Sequence, residues 1–159
     1  MVVRLPRLKI GIIDTTFSRV DMAKFVIEEI KKLAPNSEIV RWTVPGIKDI
    51  PATAKRMFSS ESCDGIITLG WVGPKPVDKL SYVAMSIGLM IVGILTERII
   101  VAVTLHEDEA ADEKTLRSIA EDRARKHARN LVILLTNPEK LKKYAGMGLR
   151  QGYADVGPI

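Results

Sequence analysis

Along the chain, short apolar runs rich in Ile and Val alternate with longer stretches in which apolar residues return every three or four positions. The first kind, at residues 8–14, 38–44, 65–69 and 99–105, has the length of a strand. The second, at residues 20–33, 50–60, 78–95 and 112–135, has the length of a helix. Such alternation predicts consecutive strand-helix-strand units, with helices on both faces of a mainly parallel sheet. The expected fold class is therefore α/β, three layers around a four-stranded sheet. In the last helix Leu116, Ile119, Ala120, Ala124, Ala128, Leu131, Val132 and Leu135 form one apolar stripe, and Glu113/Arg117 and Glu121/Arg125 sit four apart with the acid first. That predicts an amphipathic helix lying on the sheet. After Pro138 a short helix through Tyr144 leads into residues 145–152, too glycine-rich for a regular element, so the tail is expected to be mobile or docked. With no repeat, linker or low-complexity segment, one domain over residues 1–159 is expected.

One uncharged stretch departs from this amphipathic pattern. Residues 80–96 form a run of 17 between Lys79 and Glu97, short of the ~20 a membrane-crossing helix needs. A helix apolar on every side must still be covered on every side. One face is expected on the sheet and another on a neighbouring subunit, which makes the chain a homo-oligomer with no membrane partner.

Composition narrows the function classes. At 47% apolar and 27% charged the chain is an ordinary globular protein, and an aromatic share of 5% argues against a base-stacking platform. The net charge of +5 is dispersed; the densest basic stretch, 123–129, follows Glu121 and Asp122 on a helix, so nucleic acid is not an expected partner. A lone Cys63 forms no intrachain disulfide, and a reducing, cytoplasmic setting is expected. Residues 1–9 run straight into the first strand instead of forming a signal sequence.

In open parallel sheets ligands bind beyond the carboxyl ends of the strands. The segments expected there are Asp14-Thr15-Thr16-Phe17, Val44-Pro45-Gly46-Ile47-Lys48-Asp49, Gly70-Trp71-Val72-Gly73 and Leu105-His106-Glu107-Asp108. They offer two aromatic rings, glycines that let backbone approach a ligand, and polar groups suited to a flat, hydroxyl-bearing molecule. Dinucleotide, P-loop, zincin and serine-hydrolase motifs are absent.

These segments also carry a resemblance. Val44-Pro45-Gly46-Ile47-Lys48-Asp49-Ile50-Pro51 and Cys63-Asp64-Gly65-Ile66-Ile67-Thr68-Leu69-Gly70 resemble successive motifs of lumazine synthases, in the same order and spacing. Where that family carries a histidine-bearing loop, this chain has Trp71-Val72-Gly73-Pro74-Lys75-Pro76-Val77-Asp78-Lys79, without histidine. The segments 14–22, 44–49, 106–110 and 148–152 look instead like the archaeal type of riboflavin synthase. The resemblance implies a flavodoxin-like, lumazine-synthase-like fold, a pentamer or a multiple of it, and sites between subunits. There two molecules of 6,7-dimethyl-8-ribityllumazine would become riboflavin and 5-amino-6-(D-ribitylamino)uracil. It implies no organic cofactor and leaves room for a magnesium ion; Glu107 and Asp108, beside their capping role, could orient His106 or hold a divalent ion.

The expected roles follow. His106 is the preferred proton-transfer residue, because it titrates in the useful range just past the fourth strand; a capping role is its alternative. Lys48 and Lys79 are the other catalytic candidates, as partners for carbonyl oxygens or an anionic intermediate. Thr15, Thr16, Phe17, Gly46, Ile47, Asp49, Gly70, Trp71 and Glu107 are the candidate substrate-binding set, with Phe17 stacking on the heterocycle unless it belongs to the core. Asp49 has a helix N-cap as its second reading, Glu107 and Asp108 a capping role, and Trp71 a place in a subunit interface. His127 is expected to be a partly buried structural histidine, and Arg150 and Gln151 either contact a neighbour or fray. A lumazine synthase, a binding oligomer without turnover and a receiver-like phosphoacceptor at Asp14 are the competing readings. The last lacks the acidic pair and the fifth strand it needs.

Overall fold

The computed structural model describes residues 7–159. Residues 1–6, most of the stretch read above as the lead-in to the first strand, lie outside them. Four strands, β1 (Lys9–Thr15), β2 (Glu38–Val44), β3 (Gly65–Val72) and β4 (Ile99–His106), alternate with four helices, α1 (Met22–Leu33), α2 (Ile50–Glu61), α3 (Pro76–Thr96) and α4 (Glu113–Thr136). All strand pairings are parallel, in the order β2-β1-β3-β4. This is the expected three-layer α/β fold.

Period-two alternation divides the apolar residues between the two faces. Ile10 and Ile12 of β1, Ile67, Leu69 and Trp71 of β3, and Val101, Val103 and Leu105 of β4 join the core beneath α1 and α4. Ile13, Ile66 and Val72 point the other way, into the core beneath α2 and α3. β3, central in the sheet, is buried along its whole length.

Two expectations need correction here. The third strand does not stop at Leu69: Gly70, Trp71 and Val72 continue the ladder opposite Thr104, Leu105 and His106. Trp71 is therefore neither on a loop nor at the surface but 1% exposed in the first core. The apolar helix also begins earlier than the uncharged run suggested. Its 21 residues, with Asp78 and Lys79 in the first turns, are long and apolar enough to cross a membrane by length and composition alone. In this fold it lies on the sheet through Met85, Leu89 and Val92 and crosses α2 closely at Gly88, where a Cβ would stand 2.7 Å from Pro51. Its other side is bare.

Candidate active site

The loops at the carboxyl edge are tied to one another before any ligand is considered. After β1, the Thr16 N–H donates to Val44 O (2.9 Å) and Thr16 Oγ1 donates to Pro45 O (3.3 Å). Phe17, next along, is 52% exposed, which removes its core reading. After β2 the chain makes a 3-10 turn, Ile47–Asp49, in which the Gly46 N–H donates to Asp49 Oδ2 (3.1 Å). The Asp49 carboxylate thus braces its own loop. It does not cap the helix that follows through its side chain.

Phe17, this loop, Val72, Gly73 and the first turns of α3 at Asp78 and Ser81 enclose a cleft of about 260 Å³. Of the expected binding set, Phe17, Gly46, Ile47, Asp49 and Trp71 line it, as does Lys48, exposed and without an ion pair among the described residues. The Ile47 side chain itself is buried in the second core. Gly70 is buried beneath Ile47 and Met85 and does not line this cleft. Thr15 is buried with its hydroxyl unpartnered. Asp14 is locked into the sheet: Arg41 Nη2 (2.5 Å) and Thr43 Oγ1 (2.6 Å) both donate to it.

A second group stands on the other side of the α3 N-terminus. Lys79 Nζ lies 3.0 Å from His106 Nδ1 and 2.7 Å from Asp108 Oδ1, and the Tyr82 ring meets His106 edge-on at 4.8 Å. Lys79 and Tyr82, three apart, share one helical face. Burial, and then the ammonium of Lys79, hold the imidazole below its ordinary pKa; Lys79 likewise holds the Asp108 carboxyl low. Because an ammonium only donates, Nδ1 accepts and the ring proton of neutral His106 belongs on Nε2. His106 as placed therefore presents a donor.

The capping readings at the start of the last helix are corrected. A 3-10 turn, Glu107–Glu109, intervenes, and Asp112 caps α4 by accepting from the Thr115 N–H (2.8 Å). Glu107 pairs with Arg19, as does Glu113. Glu109 accepts the His106 N–H (2.8 Å) and faces Arg123. Burial alone would raise its carboxyl, but the Arg123 hydrogen bonds, the His106 N–H and the charge of Arg123 together outweigh that and hold it low. His127 is the structural histidine expected, 5% exposed, with Nδ1 2.8 Å from Arg123 O and a pKa depressed by burial. A larger, shallow concavity of about 600 Å³ between Lys55, Arg56, Phe58 and Arg98 lies at the opposite, amino edge of the sheet. It shares no residue with either group.

Sequence reasoning missed Tyr82, Arg19, Glu109 and Arg123. The three-residue spacing to Lys79 signals Tyr82; nothing in the sequence signals a pair fourteen residues apart.

The sequence model of the 6,7-dimethyl-8-ribityllumazine synthase family matches residues 7–139. The chain belongs to this enzyme family. It is 55% identical over 152 residues to a riboflavin synthase of Archaeoglobus fulgidus, covering 96% of this chain and 99% of the relative. To a riboflavin synthase of Aeropyrum pernix it is 56% identical over 151 residues (94% and 97%), and to one of Methanothermobacter marburgensis 45% over 152 (96% and 99%). The family match stops at residue 139, whereas the first relative matches 152 of the 159 residues. Even if every unmatched residue were C-terminal, that match would reach Gly152.

Proposed function

We propose that this family member is a riboflavin synthase, transferring a four-carbon unit between two molecules of 6,7-dimethyl-8-ribityllumazine to give riboflavin and 5-amino-6-(D-ribitylamino)uracil. The observation that carries the reading is the exposed Phe17 beside the braced loop 45–49, with the Lys79–His106–Asp108 group on the same edge and no histidine in the segment 71–79. The two products contain all the atoms of the two substrates, so the residues need only clamp two rings and move a methyl proton. Alignment of two reactants lowers the barrier by roughly 7–11 kcal/mol. In this reading Phe17 stacks on a ring, the Gly46–Asp49 backbone and Thr16 hold the ribityl chain, Lys48 meets a carbonyl oxygen, and His106 with Lys79 relays the proton. Glu107 acts through its pair with Arg19, and Thr15 through its carbonyl, which accepts the Ser18 N–H (3.3 Å) at the turn that carries Phe17.

The cleft on one chain is smaller than the ~300–1,000 Å³ usual for small-molecule sites. Next to it, α3 leaves Leu80, Val83, Ile87, Met90, Ile91 and Ile94 exposed. Both features support a homo-oligomer, a pentamer or a multiple of it, whose neighbouring copies complete the sites. The magnesium expectation finds no cradle: Glu107, Asp108 and Glu109 are each committed to a cation, and among the described residues no three His, Cys, Asp or Glu converge. No step is routed through a metal or organic cofactor. A cytoplasmic setting accords with Cys63, a lone thiol that burial pushes up to about 11.

Lumazine synthesis is the second reading, since the family description bears that name. Purified protein incubated with 6,7-dimethyl-8-ribityllumazine alone separates the two. Riboflavin absorbance above a heat-inactivated control is expected. Binding without turnover points to a lumazine synthase or a carrier. His106→Ala is expected to lower kcat by on the order of 10²–10⁴ with little change in binding, and an unchanged kcat removes His106 from the mechanism.

A further inference from the structure

Arg123 is 3% exposed, yet it is bonded to three separate parts of the chain. Its Nη1 donates to Thr104 O of β4 (2.7 Å) and to Glu109 Oε1 (2.8 Å), and its Nη2 to Glu109 Oε2 (2.6 Å). Its Nε donates to Gly152 O (3.0 Å), and the ring of Tyr153 covers the guanidinium at 4.4 Å. The tail is therefore docked. It closes over an ion pair that would otherwise meet water, and a pair shielded from water holds its geometry more firmly.

Glu109 passes that constraint on, because the oxygen facing Arg123 Nη1 also accepts the backbone N–H of His106. His106 is thus held from two sides. Lys79 and Tyr82 of α3 fix its ring, while Arg123 of α4 and the tail fix its backbone through Glu109. Only glycine serves at position 152: its φ is +79°, and a Cβ would stand 2.6 Å from Arg123 Cγ and 2.8 Å from His127 Cε1.

We propose that the C-terminal segment at Gly152–Tyr153 is a latch that positions His106 through Arg123 and Glu109, making Arg123, Glu109 and Gly152 positioning residues for the reaction. The proposal rests on the reading of His106 given above. Gly152 lies outside the family match but within the reach of the match to a riboflavin synthase.

The test uses the full-length protein with Gly152→Ala, which evicts the tail while every strand and α-helix keeps its own residues, the new Cβ meeting the Arg123 and His127 side chains of α4. Placement to within an ångström matters greatly to rate, so kcat is expected to fall by about 10-fold with KM within about twofold. The chain has two histidines, so the ring signals of ¹³C-labelled His106 and His127 can be assigned by substitution. The His106 signal is expected to shift and broaden; the groups that face this ring are Lys79 and Tyr82 from α3, Asp108 and Glu109 from the turn, and Arg123 from α4. Glu109→Gln, which keeps an acceptor for the His106 N–H, is expected to retain more kcat than Glu109→Ala at matched thermal stability. An unchanged kcat and His106 signal in Gly152→Ala, with the Tyr153 ring shown to be released, overturns the latch; so does a rise in KM alone, which would make the tail a substrate contact. If the wild-type protein does not make riboflavin, the proposed function falls, and the latch is then judged by the His106 signal: a shift supports it and constancy overturns it.

Discussion

The two long helices, α3 and α4, solve opposite problems. α4 buries an apolar stripe from Leu116 to Val132 and satisfies its polar face from within the chain: Arg125 pairs with Glu28 and Glu121, and Arg129 with the buried Glu29. α3 has no such face. Its buried line, Met85, Leu89 and Val92, is backed by apolar residues that stand in the open, Ile94 at 76% and Leu80 at 69%. One helix is complete in a single copy and the other is not. Both reach His106, α3 through its ring and α4 through its backbone, so the proposed proton-transfer residue is held between a helix satisfied within the chain and one whose apolar face is open.

The largest effect should come from breaking the α3 side. Val83→Glu with Ile87→Glu places two charges where the proposed interface lies, and the expected outcome is a monomer by light scattering with turnover abolished. A glutamate in place of Ser118, on the exposed side of α4, should leave mass and turnover unchanged. If the α3 variant keeps both its mass and its activity, that helix is covered by something other than a second copy.

Breaking α4 instead should cost stability more than assembly. Arg123→Ala leaves the Glu109 carboxylate largely buried without its partner, a loss of about 3–5 kcal/mol. Lys126→Ala, removing an exposed pair with Asp122, should stay within about 0.5 kcal/mol. Urea denaturation of the assembled protein reads both, and equal costs would mean that the buried pair carries no special weight.

Most of this fold was legible in the sequence because strand and helix periods are local signals. The four helices lie within a few residues of their expected bounds, and apart from a one-residue offset at the start of β1 the strand errors fall at carboxyl ends, where polar or glycine residues such as Gly70 and His106 continue a ladder set by partner strands. Of the candidate site, Phe17 and the 45–49 turn, on loops, and His106, the last residue of β4, stand on the expected edge. What stayed hidden are pairings decided by the third dimension. Arg19 with Glu107, Lys79 with His106 and Arg123 with Glu109 join residues whose separation is fixed by the fold. Trp71 is expected on a loop, whereas strand alternation carries it into the core at the end of β3, where it still borders the cleft.

A smaller effect separates the helices by pH. His106, reached by both, and His127, on α4 alone, have folded-state pKa values below the ordinary one, so the unfolded chain binds more protons near neutrality. Their contribution is therefore present above about pH 6.5 and is lost as pH falls below it. The urea midpoint should drop between about pH 7.5 and pH 5, and His127→Gln should flatten that drop. A slope unchanged by His127→Gln would assign the loss to His106 and the paired carboxylates.

The smallest expected effect distinguishes the clamp from the interface. Phe17 stands free of both cores, so Phe17→Ala should leave thermal stability and mass alone. Stacking contributes about 0.5–1.5 kcal/mol beyond burial, which corresponds to a rise of about 2- to 13-fold in KM with kcat reduced by less. Loss of assembly in this variant would instead make Phe17 a subunit contact. The bare face of α3 and the cleft beside it would then belong to one continuous interface, with the ligand held elsewhere along the carboxyl edge.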